Sequence, residues 1–244
     1  MDRAEYEAMA RIEDRMWWYR AVRANLTLAF RRLHLPADAA ILDAGCGTGA
    51  LLAHLARQFP ASSLTGLDVA PHAAVAAQRK SGAPVVAGSV NALPFGDASF
   101  DAMFSVDVLY HRAVHQRIAL AEAIRCLKPG GALIINLPAY EWMRSTHDAA
   151  VHGARRYTRG GTLEMLREAG FASVRAGYWN TVLFPLMAAR RRLFPGSGGS
   201  DVQEYPLVLE LLFGAATGVE HLMIRTGIPM PFGGSVLAVA RKNG

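Results

Sequence analysis

From Ala39 onward, short continuous apolar runs alternate with stretches whose apolar positions recur every three or four residues. The runs at 40–43, 64–69, 84–88, 100–106 and 132–137 read as strands buried on both faces. Helical stretches lie between them. One begins over 51–56 and closes near Pro60, and Pro71 is placed to open another in its first turn, where the missing N–H costs nothing. A third carries Ile118, Leu120, Ala121, Ile124 and Leu127 near the helical period and stops at the breaker Lys128-Pro129-Gly130-Gly131. Alternation of this kind predicts an α/β fold, a parallel sheet with helices on both faces.

After Pro138 the pattern changes. Residues 139–158 are polar, aromatic and rich in His and Arg, without clear periodicity. A short helix at 163–169 and a strand at 171–178 follow. The segment 179–234 holds two helical stretches parted by Pro195-Gly196-Ser197-Gly198-Gly199-Ser200, and 235–240 closes the chain as a strand. The organisation expected is a helical lid over 1–38, a main domain of 39–178 with 235–244, and a helical insertion at 179–234.

Composition narrows this picture. With 244 residues, 52% hydrophobic and 19% charged, the chain can fill a full core. No run of about 18 uncharged apolar residues is present, so no membrane-crossing helix is expected. The charged start, Met1-Asp2-Arg3-Ala4-Glu5-Tyr6-Glu7, lacks the apolar region of a secretion signal. Cys46 and Cys126 make no disulfide framework and read as buried fillers. A cytoplasmic protein is expected. The net charge of +6 comes from local clusters such as Arg31-Arg32, Arg155-Arg156 and Arg190-Arg191-Arg192, with no nucleic-acid-binding signature beside them.

The chemistry concentrates in Asp43-Ala44-Gly45-Cys46-Gly47-Thr48-Gly49, a glycine loop between a strand and a helix. Such a loop lets a backbone turn sharply and approach a nucleotide-like ligand at a sheet's carboxyl edge. Asp68 ends the next strand, where a carboxylate can hold both hydroxyls of a ribose. The glycines also fit a dinucleotide loosely, as Gly45-x-Gly47-x-x-Ala50. Asp43 argues the other way: a carboxylate repels a pyrophosphate and favours the ammonium and sulfonium of S-adenosylmethionine.

Leu42-Asp43-Ala44-Gly45-Cys46-Gly47-Thr48-Gly49 resembles the first motif of class I S-adenosylmethionine-dependent methyltransferases. The resemblance continues through Gly66-Leu67-Asp68-Val69, Ala92-Leu93-Pro94-Phe95, Phe100-Asp101 and Val106-Asp107-Val108-Leu109, and ends at Leu127-Lys128-Pro129-Gly130-Gly131. It implies a Rossmann-like sheet of seven strands, the last one antiparallel. It also implies S-adenosyl-L-methionine as cofactor, S-adenosyl-L-homocysteine as product, and methyl transfer as activity. By the same resemblance Gly45 and Gly47, with Cys46 and Gly49 in the loop, lie along the methionine part. Asp68 binds the ribose, Val69 packs on the adenine, and Ser105 with Val106 lines the cofactor. The family often has an acidic residue after the third strand, whereas this chain has Ser89-Val90-Asn91, so Ser89, Val90 or backbone groups are expected to serve there. A narrower likeness, to a bacterial subgroup, rests on Met16-Trp17-Trp18-Tyr19-Arg20, Ser145-Thr146-His147-Asp148, Arg155-Arg156-Tyr157-Thr158 and Tyr178-Trp179-Asn180. It suggests that Trp17, Trp18 and Tyr19 close over the cofactor.

Acceptor-side candidates follow the fourth and fifth strands. His111, His147 and Tyr157 are the candidate bases, needed only if the acceptor must lose a proton. Tyr110, Trp142, Asp148, His152 and Arg156 are the candidate substrate contacts, Asp148 by orienting a histidine and Arg155 or Arg156 by pairing with an anionic acceptor. His147, Asp148 and His152 match no metal-ligand spacing. Apolar stretches around Arg190-Arg191-Arg192 and over 205–226 would cap the site, form a homodimer, or touch a membrane and collect a lipid-like acceptor. A non-catalytic cofactor-binding module and an NAD-dependent oxidoreductase are the alternatives.

Overall fold

The computed structural model describes residues 3–193 and 204–244, except the side chains of His147 and Ala150. Two helices, α1 (Arg3–Ile12) and α2 (Trp17–Arg31), precede the alternating part of the chain. Then come β1 (Ala40–Ala44), α3 (Ala50–Gln58), β2 (Ser63–Asp68), α4 (Pro71–Ser81), β3 (Val85–Ala87), β4 (Phe100–Val106), α5 (Gln116–Cys126) and β5 (Leu127–Pro138). The second half adds α6 (Thr146–Ala150), α7 (Arg159–Glu168), β6 (Ser173–Trp179), α8 (Phe184–Leu193), α9 (Leu207–Arg225) and β7 (Ser235–Arg241).

The seven strands form one sheet in the order β3-β2-β1-β4-β5-β7-β6. β1 to β5 pair in parallel, and β7 runs against both β5 and β6. Alternation along a strand sends successive side chains to opposite faces. Ile41 thus joins the buried cluster that holds Leu26 and Phe30 of α2 and Leu52 and Leu55 of α3, while Leu42 joins the one that holds Leu120 of α5 and Leu166 of α7. Each such side chain, fully buried, stabilises the fold by about 1.5–3 kcal/mol. Because β2 and β4 flank β1 on opposite sides, their crossovers diverge and open a crevice at the carboxyl end of β1.

Three expectations are corrected. The Lys128-Pro129-Gly130-Gly131 breaker lies inside β5, not before it: pairing with β4 steps from Phe100↔Leu127 to Ala102↔Ala132, so the tetrapeptide is accommodated as a bulge. Trp179 ends β6 and does not begin the insertion, its indole N–H donating to Asn136 Oδ1 at 2.7 Å. And α9, with 19 residues, is long and apolar enough to cross a membrane, because its two glutamates are too few to break the apolar average. The Pro195–Ser200 stretch expected to part the two helices falls outside the described residues.

Candidate functional site

The glycine loop closes against β2, where the Gly45 and Cys46 N–H groups both donate to Leu67 O, at 2.7 and 2.9 Å. Gly45 and Gly49 hold φ of +93° and +92°. A Cβ on Gly45 would stand 2.3 Å from Val108 Cγ2, and one on Gly49 would stand 2.6 Å from the Ala77 Cα of α4. The turn therefore admits only glycine at these two places.

Carboxylates gather beside it. Asp68 accepts Gly47 N–H on Oδ2, and Ala70 N–H and the Tyr6 hydroxyl on Oδ1, each at 2.9 Å. Asp43 is buried, and its Oδ2 has no hydrogen-bond partner among the described residues. Burial, then the charges of Asp68 and Glu13, pushes Asp43 up to about 7. Glu13 accepts from Thr48 Oγ1 at 2.7 Å and pairs with Lys80, which also reaches Asp14 at 2.9 Å. The N-terminal helices are thereby tied to the loop. At the end of β4, Asp107 accepts from Asn136 Nδ2 at 3.1 Å, and burial raises it to about 7 as well.

These groups border one cavity of about 880 Å³, within the range of small-molecule sites. Asp107, His152 and Asn180 on its wall hold φ of +51°, +57° and +60°. Such strain in residues other than glycine persists where surrounding structure enforces it, commonly at functional sites.

Opposite the loop, Tyr110 and His111 stack with ring centroids 4.4 Å apart. Burial lowers His111 to about 4, leaving it neutral at pH 7. Asp148 and Arg156 form a two-point pair, Nε to Oδ1 and Nη2 to Oδ2, both 2.9 Å. Arg156 Nη1 donates to Ala139 O at 3.0 Å, and Asp148 also accepts Ser145 N–H at 2.7 Å. This departs from the expectation that Asp148 orients a histidine and Arg156 holds an anion. Here the two hold each other, because two oppositely charged groups in a buried wall satisfy one another first.

Residues 42–135 match the family model described as methyltransferase domain. Over 102 residues the chain is 38% identical to an O-methyltransferase of Penicillium expansum, covering 39% of this chain and 36% of that protein. Over 178 residues it is 33% identical to trans-aconitate 2-methyltransferase of Deinococcus radiodurans, covering 70% of this chain and 64% of the relative. Residues 42–135 thus form a methyltransferase domain. Its fold is shared with the Burkholderia thailandensis 1,6-didemethyltoxoflavin-N1-methyltransferase, at TM-score 0.56 and 22% identity over 93% of this chain and 81% of that one. The chain spans only 34–42% of the length of the first three curated relatives it matches.

The residues of the methyltransferase domain fit its cofactor. An orphaned buried carboxylate oxygen on Asp43 calls for a cation, and the acceptor-rich Asp68 suits a diol. Asp43, Gly45, Cys46, Gly47, Asp68, Val69, Ser89, Val90 and Val106 border the cavity. Gly49 does not: it packs on α4. Ser105 is buried on the other side of the strand, beside Leu109 and Leu133, because it alternates with Val106.

On the acceptor side Tyr110, His111, Asp148, His152 and Arg156 border the cavity. Tyr157 does not: its hydroxyl donates to Leu109 O at 3.0 Å, also meets Gln116, and is pushed up to about 12 by burial. It anchors the loop from beneath and is no base for the cavity. Trp142 stands outside, stacked on Tyr140. The His147 side chain lies outside the described residues. Trp17, Trp18 and Tyr19 all reach the cavity wall, Trp17 also packing on Phe213 and Trp18 on Trp179. Sequence reasoning missed Tyr6, Glu13 and Asp107. Only Asp107 had a signal, a carboxylate following β4 at the sheet edge where Asp43 sits on β1.

A cation bound at Asp43 would make the site pH-sensitive. A cationic ligand favours its ionised form, so affinity is full above pH 7 and falls as pH drops through that value. Titrating S-adenosylhomocysteine calorimetrically from pH 8 to 5 should show a loss approaching about tenfold per unit below 7. Asp43→Asn should flatten the profile, and a sloping profile in that variant would reject the assignment.

Proposed function

We propose that the protein transfers a methyl group from S-adenosyl-L-methionine to an O, N or C atom of a small or lipid-like acceptor. The observation that carries this reading is the unpartnered Asp43 oxygen, buried in the cavity wall beside the glycine loop. When bound, the cofactor supplies an electrophilic methyl group on a sulfonium. On this reading Asp43 neutralises cationic charge, and the Gly45–Cys46–Gly47 backbone lies along the methionine part. Asp68 takes the ribose hydroxyls, while Val69, Ser89 and Val90 surround the base.

The acceptor enters between His111, Tyr110 and His152, with Asp148 and Arg156 forming a rigid floor. His111, neutral at pH 7, takes a proton from the acceptor where one must leave. Holding acceptor and methyl in line in a closed site can supply up to about 7–11 kcal/mol of the barrier. Residues 1–38 act as the lid, 39–179 with 235–244 as the cofactor domain, and 180–234 as an insertion flanking the acceptor. Isothermal calorimetry with S-adenosylmethionine and S-adenosylhomocysteine is expected to give dissociation constants of about 1–100 μM, the scale common for enzyme ligands. Absence of heat with both at millimolar ligand would sink the reading.

A further inference from the structure

Helix α9 is amphipathic in reverse. Its glutamates and His221 face the protein, where each is used. Glu220, 1% exposed, accepts the N–H groups of Asn180, Thr181 and Val182 ahead of α8. Glu210 accepts Trp17 N–H at 2.8 Å, and His221 Nδ1 meets Asn25 Oδ1 at 2.7 Å. The outer face is aliphatic: Leu207, Val208, Leu211, Leu212, Val219 and Leu222 are each 59–74% exposed. From Leu207 to Leu222 this stripe runs about 22 Å, at 1.5 Å per residue. A face of that kind on a water-soluble monomer is a liability unless something covers it.

Three observations choose the cover. The stripe offers only Leu, Val, Ala and Gly, and the aromatic, Met and Arg side chains that anchor protein interfaces are absent from it. Phe213 and Met223 of the same helix are turned away from full exposure. Exposed cations stand in the last turns of both helices of the insertion, Arg190 and Arg192 in α8 and Arg225 in α9. The acidic residues described in 179–234, Glu204, Glu210 and Glu220, are all engaged, the first with Arg15 at 3.3 Å. Finally, the helix is pinned flat. Beyond the bonds of its glutamates, Arg32 of the segment after α2 holds the carbonyls of Ile224 and Arg225 at 3.1 and 2.9 Å.

We infer that α9 lies in the headgroup region of an anionic bilayer, its aliphatic stripe among the acyl chains and its flanking arginines on lipid phosphates. It does not cross the membrane, because crossing would strip Glu220 and His221 of their partners. Met187, Arg190 and Tyr205 of the same insertion border the catalytic cavity, so docking turns that side of the cavity toward the lipid.

Co-sedimentation of the full chain with vesicles of phosphatidylcholine alone, or with 30% phosphatidylglycerol by design, tests this at about 0.05 and 0.5 M salt. Binding to the anionic vesicles at low salt is expected, with loss at high salt and little on the neutral ones. Leu212→Glu with Val219→Glu, on exposed positions, should cut it about tenfold or more, and Arg192→Ala about fivefold. Unchanged melting and unchanged S-adenosylhomocysteine binding would show both variants folded. Protein that stays in the supernatant overturns the inference, as does equal binding to neutral vesicles. A solution dimer that the double variant splits would assign the stripe to a second copy instead.

Discussion

Replacing Asp68 with alanine should weaken binding of S-adenosylmethionine and S-adenosylhomocysteine alike by about a hundredfold. Each hydrogen bond from a hydroxyl to a carboxylate is worth about 1.5–3 kcal/mol, and two to one ribose set that scale. The change also frees three donors already present: Gly47 N–H, Ala70 N–H and the Tyr6 hydroxyl. The loop then loses the acceptor that fixes Gly47, so part of the loss is reorganisation. Removing the carboxylate also removes a charge that helps raise Asp43, so the pH at which affinity falls should move down. Asp68→Asn separates these effects, because it keeps a carbonyl acceptor while removing the charge. Calorimetry on both variants decides it, and a loss below about fivefold in Asp68→Ala would exclude Asp68 from the ribose role.

Asp148→Ala is the substitution with the largest expected cost in stability. The Asp148 and Arg156 side chains are 4% and 6% exposed, and the variant leaves a buried guanidinium without its carboxylate partner. Breaking such a pair costs about 3–5 kcal/mol, which for a chain of this size lowers the melting temperature by about 10 °C. Burial alone would raise Asp148. The Arg156 hydrogen bonds and charge outweigh it and hold the group below the ordinary carboxylate range. A depressed carboxylate contributes stability above its unfolded value, near 4, and that stability is lost as pH falls through the folded value. The melting difference between wild type and variant should therefore be full at pH 7 and shrink below pH 4. Asp148→Leu combined with Arg156→Met should recover much of the loss, and failure of Asp148→Ala to lower the melting temperature by more than about 3 °C would deny the pair its role.

The parallel core was legible because its signals are local. Unbroken apolar runs such as Ile41-Leu42 and Phe104 must be buried on both faces, and Pro71 and the glycine loop punctuate the helices between them. The cofactor edge was legible for the same reason: Asp43 lies one residue from the end of β1 and Asp68 ends β2, and neighbouring parallel strands deliver their ends to one place. The acceptor wall was not. Its residues come from the irregular stretch 139–158, where no period says which side chain faces inward. Tyr157 and Arg156 are neighbours in sequence, yet one bonds Leu109 beneath the wall and the other borders the cavity. The contributions of Tyr6 and Glu13 were invisible because they depend on how α1 docks, a tertiary fact.

The Tyr6 contact carries one more consequence. Tyr6 and a ribose diol would draw on the same oxygen of Asp68, so on the proposed reading the N-terminal helix and the cofactor are rivals for one acceptor. Rivalry of this kind is reciprocal: whatever free energy holds the helix down is subtracted from ligand affinity, and an arriving ligand loosens the helix by the same amount. The first turns of the chain would then behave as an internal competitor. Exchange of spent for fresh cofactor would be timed by the return of Tyr6 to Asp68 as much as by the chemistry between.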